Sequence, residues 1–155
     1  MKEIFNDYST LIIFLHVISA VIWVGGMIAI RAAVHPSLQT INEPKIKLGK
    51  TLEIVGRLFN LVMPSILILL ITAIIMIVAL GLKNSVVYTK EAIWTIMAIN
   101  YAFMYYKRAK AQKLFNSGNL TEAKEQIKLL PNLLLPINIV LGVVAILLGV
   151  TLRGL

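Results

Sequence analysis

The sequence predicts an all-α integral membrane protein, a four-helix bundle with both termini outside the membrane and two basic cytoplasmic loops. The chain has 155 residues, of which 59% are hydrophobic and only 14% are charged. Soluble domains carry about 25% charged residues, so this composition favours a bilayer environment. The apolar residues are grouped in long runs, and about 20 such residues suffice for a helix to cross the hydrocarbon core.

We expect one membrane domain covering residues 1–155. The first apolar run holds twenty residues, Leu11 to Ile30, without a formal charge unless His16 is protonated. The third run is the weakest, because only fifteen residues separate Glu91 from Lys107. We place Lys90 and Glu91 at the membrane interface, where a lysine stem can snorkel. The predicted spans are residues 10–31, 58–82, 87–107 and 133–152, with a helical cytoplasmic loop at 108–130.

The orientation follows from the distribution of positive charge. Of the 15 Lys and Arg residues, 11 lie in or beside the two connections that join spans one to two and three to four. The positive-inside rule therefore places both connections in the cytoplasm, and we expect a multi-pass protein of a bacterial inner (plasma) membrane. The net charge of +8 is explained by this topology, so no nucleic-acid partner is expected. The 11 residues are Arg31, Lys45, Lys47, Lys50, Arg57, Lys107, Arg108, Lys110, Lys113, Lys124 and Lys128.

His16 is the ionisable side chain inside span one, and it is the first candidate for a catalytic or cofactor-binding residue. A polar group in lipid normally faces the protein interior, so the His16 face should be the one that other helices cover. Trp23 falls on the same face at helical spacing, and we expect it to border a bound cofactor. The alternative is a histidine that only forms a hydrogen bond across a helix interface.

A second ligand for His16 would have to come from another helix at the same depth. Met76 and Met97 are the candidates, and Tyr101 is a deeper option. A neutral imidazole with a thioether partner suits haem iron or reduced copper, which makes His16 the candidate metal ligand. The alternative for both methionines is ordinary core packing. The chain has no cysteine, so thiolate sites are excluded, and no carboxylate lies inside a span to support Ser-His-Asp catalysis.

Three arginines lie at the predicted cytoplasmic ends of the spans, namely Arg31, Arg57 and Arg108. Bidentate contacts from such side chains can hold carboxylates such as porphyrin propionates. The alternative is anchoring to anionic lipid headgroups.

Span four carries a track of small or polar residues on one side: Asn138, Gly142, Ala145 and Gly149. Such a track lets another helix approach closely. It can serve packing within one bundle or between copies, so a homo-oligomer remains open.

Together these features resemble the HemJ-type protoporphyrinogen oxidases and the related copper-resistance D (CopD-like) membrane proteins. The resemblance runs over most of the chain as an ordered series of residues. The series is His16, Trp23, Gly25-Gly26, Arg31, His35, Arg57-Leu58, Pro64, Phe115, Asn119, Asn132 and Pro136.

The resemblance implies a membrane haem b protein with His16 as an axial ligand or catalytic residue. HemJ-type enzymes oxidise protoporphyrinogen IX, so the resemblance also implies a porphyrin substrate and a quinone or cytochrome electron acceptor. These enzymes carry a functional lysine early in span three, and Lys90 is the nearest lysine here, which makes it the second catalytic candidate. The glycine pair after Trp23 resembles the copper-resistance side, which implies copper transfer across the membrane. A cofactor-free structural subunit is the third hypothesis.

Overall fold

A computed structural model describes residues 2–152 of the chain. These residues form four long helices, and none of them lies in a β-strand. The prediction of an all-helical fold is confirmed. The helices are α1 (Lys2–Gln39), α2 (Pro44–Leu80), α3 (Ser85–Asn116) and α4 (Leu120–Thr151).

Three of these helices, α1, α2 and α4, are long and apolar enough to cross a membrane. They indicate a multi-pass membrane protein. Helix α3 has 32 residues, which is also long enough for a bilayer. It is more polar than the others, because Lys90, Glu91 and several tyrosines interrupt its apolar residues.

Helix α1 continues through the position where the sequence predicted the end of span one. It contains two π-helical turns, Val21–Gly25 and Ile30–Val34, between α-helical segments. Pro36 follows the second π-helical turn inside this continuous helix, where proline supplies no N–H for a backbone hydrogen bond. Near the predicted start of the span, Tyr8 leaves helical geometry with φ −123° and ψ 22°.

The turns between helices follow local sequence signals. Gly81, with φ +63°, ends α2 in the left-handed conformation that glycine tolerates. The side chain of Asn84 caps α3 by accepting a hydrogen bond from the backbone N–H of Val87 at 3.0 Å. After α3, Gly118 has φ +85°. Asn119 precedes α4 without making a side-chain cap bond.

Successive helices run antiparallel, which gives the bundle two distinct ends. We call the end with Lys2, the Gly81 turn and Thr151 the termini end, and the opposite end the loop end. Helices α2 and α3 extend beyond the predicted spans at the loop end, since α2 begins at Pro44 and α3 continues to Asn116.

The packed core occupies the middle and the loop end of the bundle. Trp23, Met27, Phe59, Val62 and Met104 are each no more than 2% exposed. Towards the termini end the described part of α2 has no buried residue after Thr72, and that of α4 has none after Gly142. The outward surfaces carry exposed apolar side chains, as expected of surfaces in contact with lipid, including Phe14, Leu67, Ile99 and Leu147.

Polar side chains fix the register of α3 against α4. Asn138 is fully buried and donates to the carbonyl of Met97 at 3.2 Å, while its oxygen accepts from Asn100 Nδ2 at 2.7 Å. Asn100 Nδ2 also lies 2.9 Å from the carbonyl of Leu134. The predicted small-residue track thus packs within the bundle, because Gly142 on the same face lies against Val24 and Met97.

Candidate functional site

His16 lies at the edge of the packed core, on the side of the termini end. Its ring is partly buried and turns towards α2, where Nδ1 lies 2.9 Å from the hydroxyl oxygen of Thr72. The Thr72 side chain is only 4% exposed, and its hydroxyl lies 2.7 Å from the carbonyl oxygen of Ile68 and 3.1 Å from that of Leu69. The imidazole is therefore held against a neighbouring helix by a specific polar contact.

Thr72 is a site residue that the sequence reasoning missed. It stands out only as a hydroxyl in a long apolar run, seven residues after Ser65. Both hydroxyl residues are buried, and seven residues bring them to the same helical face. That spacing was the available signal.

Lys90 approaches the same region from α3. It is partly buried on the side of α3 that packs against α4. A methyl group added at Gly149 of α4 would lie 3.0 Å from Lys90 Nζ, so the ammonium group packs over this glycine. None of the ion pairs among residues 2–152 includes Lys90. The structure thus pairs His16 with Thr72 between α1 and α2, and Lys90 with Gly149 between α3 and α4.

The two candidate methionines occupy different environments. Met97 is 3% exposed and packs in the core, with its terminal methyl group against Gly142. Met76 is partly exposed and lies four residues after Thr72, one turn further towards the termini end. Met76 is therefore on the same face of α2 as the residue that His16 contacts.

Trp23 lies deeper than His16, in an aromatic cluster with Tyr101, Phe59 and Tyr105. Trp23 and Tyr101 meet edge to face with ring centroids 6.3 Å apart. The Tyr101 hydroxyl donates to the carbonyl of Phe59 at 2.7 Å, so it is engaged in joining α3 to α2. The buried indole nitrogens of Trp23 and Trp94 have no hydrogen-bond partner within residues 2–152.

The three arginines do not share a contact at the loop end. Arg108 donates through Nε and Nη2 to the carbonyl of Leu52 at 3.0 and 2.8 Å, and through Nη2 to Gln112. Arg57 pairs with Glu53 at 2.8 Å on the surface, and the Arg57 side chain is 80% exposed. A hydrogen bond from Lys50 to Glu53, with the Lys50 and Arg57 charges, holds the pKa of Glu53 below its usual value.

Arg31 and His35 lie near the loop end of α1. Arg31 is partly exposed and takes part in no ion pair among residues 2–152. His35 Nε2 lies 3.3 Å from Gln39 Nε2, one turn further along the same helix. His35 is four helical turns or more from His16, so the two imidazoles belong to separate sites.

The donor set at His16 fits a cofactor that needs one nitrogen ligand from the protein. A porphyrin supplies four nitrogen ligands to iron, so a single imidazole is a sufficient axial ligand. Among residues 2–152, no group of three His, Cys, Asp or Glu side chains is placed to hold a metal ion. One surface depression of about 410 Å³ is lined by residues of α1, and another of about 350 Å³ by residues of α4. His16 lines neither of them.

No protein-family model matches this chain, and no curated protein or solved structure matches it either. The assignment of a function therefore depends on the residues around His16 and on the charge distribution of the chain.

Proposed function

We propose that all four helices cross the membrane, with the termini end outside the cell and the loop end in the cytoplasm of a bacterium. The proposal is supported by the positive charge at the loop end, which carries 11 of the 15 Lys and Arg residues. Helix α3 can cross with the others because its polar residues Asn100 and Tyr101 bond to α4 and α2 instead of facing lipid.

The absence of cysteine from the sequence makes this topology easy to test. Asn42 and Lys83 are both exposed residues in turns, at the loop end and the termini end respectively. A cysteine at residue 83 should react with a membrane-impermeant maleimide in intact cells. A cysteine at residue 42 should react only after the cytoplasmic membrane is permeabilised. The reverse pattern would invert the proposed orientation, and equal labelling in intact cells would contradict the four-span arrangement.

We further propose that the protein binds haem b through His16 and acts as a membrane redox protein of the HemJ/CopD-like superfamily, with protoporphyrinogen oxidation as its reaction. The observation that carries this proposal is the position of His16. Thr72 contacts Nδ1 of the His16 imidazole, and Nε2 takes no part in that contact. The ring lies at the open edge of the core. Metal-ligating histidines characteristically have such a hydrogen bond on the nitrogen that does not bind the metal.

The residues of the chain then have distinct tasks. His16 would hold the haem iron through Nε2, and Thr72 orients the ring through its contact with Nδ1. Lys90 supplies a positive charge beside the site, which suits the binding of a substrate that carries carboxylates, as porphyrinogens do. The surrounding apolar helices exclude water from the site. A bound haem would supply one-electron chemistry, and the proposed electron acceptor is a quinone or a cytochrome.

The test is the absorbance spectrum of protein purified in a mild detergent after expression with a haem precursor. The wild-type protein and His35→Ala should both show a Soret band, and His16→Ala should lack it. His35 is a matched control because it is a partly buried histidine on the same helix. A Soret band of equal intensity in His16→Ala would refute haem ligation by His16.

Copper is the second candidate, and the position of Met76 one turn from Thr72 favours it over a structural role. Stoichiometric Cu(I) without a Soret band, lost in both His16→Ala and Met76→Leu, would replace haem by copper. Protein that binds neither group and unfolds like the wild type after His16→Ala would refute both proposals.

A further inference from the structure

The contact between His16 and Thr72 defines which imidazole nitrogen carries the proton. A threonine hydroxyl has one proton to donate and lone pairs that accept. The Thr72 oxygen lies 2.7 Å from the carbonyl oxygen of Ile68, a distance at which two oxygens require a proton between them. This is the common hydrogen bond of a helical threonine to the carbonyl four residues earlier. The only hydroxyl proton is therefore committed to the α2 backbone.

With that proton committed, the Thr72 oxygen faces His16 as an acceptor. The nitrogen at 2.9 Å, His16 Nδ1, must then donate. In a neutral imidazole one nitrogen carries the proton and the other carries a lone pair. Since the proton is on Nδ1, the lone pair is on Nε2.

We propose that Thr72 is a positioning residue that holds His16 in the Nδ1–H tautomer and thereby presents Nε2 as a ready metal ligand. The tautomer follows from the two hydrogen bonds alone, whereas its use for a metal rests on the proposed function. In water the Nε2–H form of histidine is usually favoured, so a fixed Nδ1–H form requires a specific acceptor such as this hydroxyl.

Two conservative variants separate the hydroxyl from the shape of the side chain. Thr72→Val keeps the branched shape and removes the acceptor, and Thr72→Ser keeps the hydroxyl. Both substitutions are small at a position that is 4% exposed, and Thr72→Ser controls for the loss of packing. His35→Gln leaves His16 as the single histidine, because the chain contains two.

The experiment is ¹⁵N–¹H correlation NMR of ¹⁵N-histidine-labelled His35→Gln protein in detergent, without added haem or metal, across a pH series. Above the pH at which the ring becomes neutral, we expect the Nδ1 signal to have the shift of a protonated nitrogen and Nε2 that of an unprotonated one. Thr72→Ser should keep this pattern, and Thr72→Val should move the signals towards the Nε2–H form. An Nε2–H pattern in the His35→Gln protein that retains Thr72 would overturn the proposal. An unchanged Nδ1–H pattern after Thr72→Val would also overturn it.

A second measurement connects the tautomer to ligation. Loss of a hydrogen bond that orients a metal-ligating histidine typically weakens binding about 10- to 100-fold. Titration with haem b should show such a loss for Thr72→Val and recovery in Thr72→Ser. If haem fails to bind even the wild-type protein, the proposed function fails while the NMR result still decides the tautomer. Equal haem affinity in all three proteins would overturn the positioning role.

Discussion

The packing of α4 against the rest of the bundle gives a prediction with a built-in control. Gly142 and Gly149 lie seven residues apart on α4, and both can be changed to alanine. A methyl group at Gly142 would lie 2.5 Å from Val24 Cγ2 and 3.2 Å from Met97 Cε. At Gly149 the nearest atom would be Lys90 Nζ at 3.0 Å.

The two environments should respond differently to the same substitution. Favourable carbon–carbon contacts lie at about 3.5–4.0 Å, so the methyl group at residue 142 must displace buried groups of α1 and α3. Such overpacking costs about 1–3 kcal/mol. The flexible end of Lys90 can move away from residue 149 at little cost. Alanine gains about 0.8–1.0 kcal/mol of helix propensity over glycine at both positions, so this gain cancels in the comparison.

We therefore expect Gly142→Ala to be about 1–3 kcal/mol less stable than Gly149→Ala, a factor of about 5 to 150 in the unfolding equilibrium. The assay is SDS-induced unfolding in mixed micelles, followed by the fluorescence of the two tryptophans, Trp23 and Trp94. Equal unfolding midpoints for the two variants would refute the close approach of α4 to α1 and α3.

Three further substitutions, and Gly25→Ala as a control for one of them, test other parts of the fold by the same assay. Tyr101→Phe removes the hydrogen bond to the Phe59 carbonyl and should destabilise by about 0.5–1.5 kcal/mol; a neutral result would contradict this link between α2 and α3. Asn138→Ala should destabilise by about 1–3 kcal/mol, because partners on α3 lose their hydrogen bonds, and a loss below about 1 kcal/mol would contradict the buried network. Gly118→Ala should destabilise by about 1–2 kcal/mol, because φ is +85° there, whereas Gly25→Ala in open helical surroundings should not destabilise; equal effects would contradict the turn geometry.

The sequence was sufficient to predict the all-helical class because membrane helices depend on long apolar runs, which are visible in composition. The turn at Gly81 and Asn84 follows local signals, since both residues have strong local conformational preferences. The end of α1 was harder to place. His35-Pro36 is a typical helix boundary, but the π-helical turn at Ile30–Val34 precedes it and the helix continues to Gln39.

Contacts between helices depend on rotation and depth, which a one-dimensional pattern does not contain. The role of Thr72 beside His16 and the separate partners of Arg57 and Arg108 are of this kind. Lys90 is another residue whose contacts could not be predicted from the sequence. Its position in the sequence suggested a membrane interface, and only the fold places its ammonium group over Gly149 of α4. The chemistry of the side chains identified the candidate site residues, and tertiary packing determines which of these residues are in contact.

Ligation of haem iron by His16 is the central claim, and electron–nuclear double resonance of the ferric protein tests it most directly. The sample is protein labelled with ¹⁵N-histidine and loaded with haem b, compared with His35→Gln labelled in the same way. A directly coordinated ¹⁵N coupling that persists in His35→Gln is the predicted result, because His16 is then the single histidine that remains. Loss of the coupling in His35→Gln, or its absence from both haem-loaded samples, would contradict the claim.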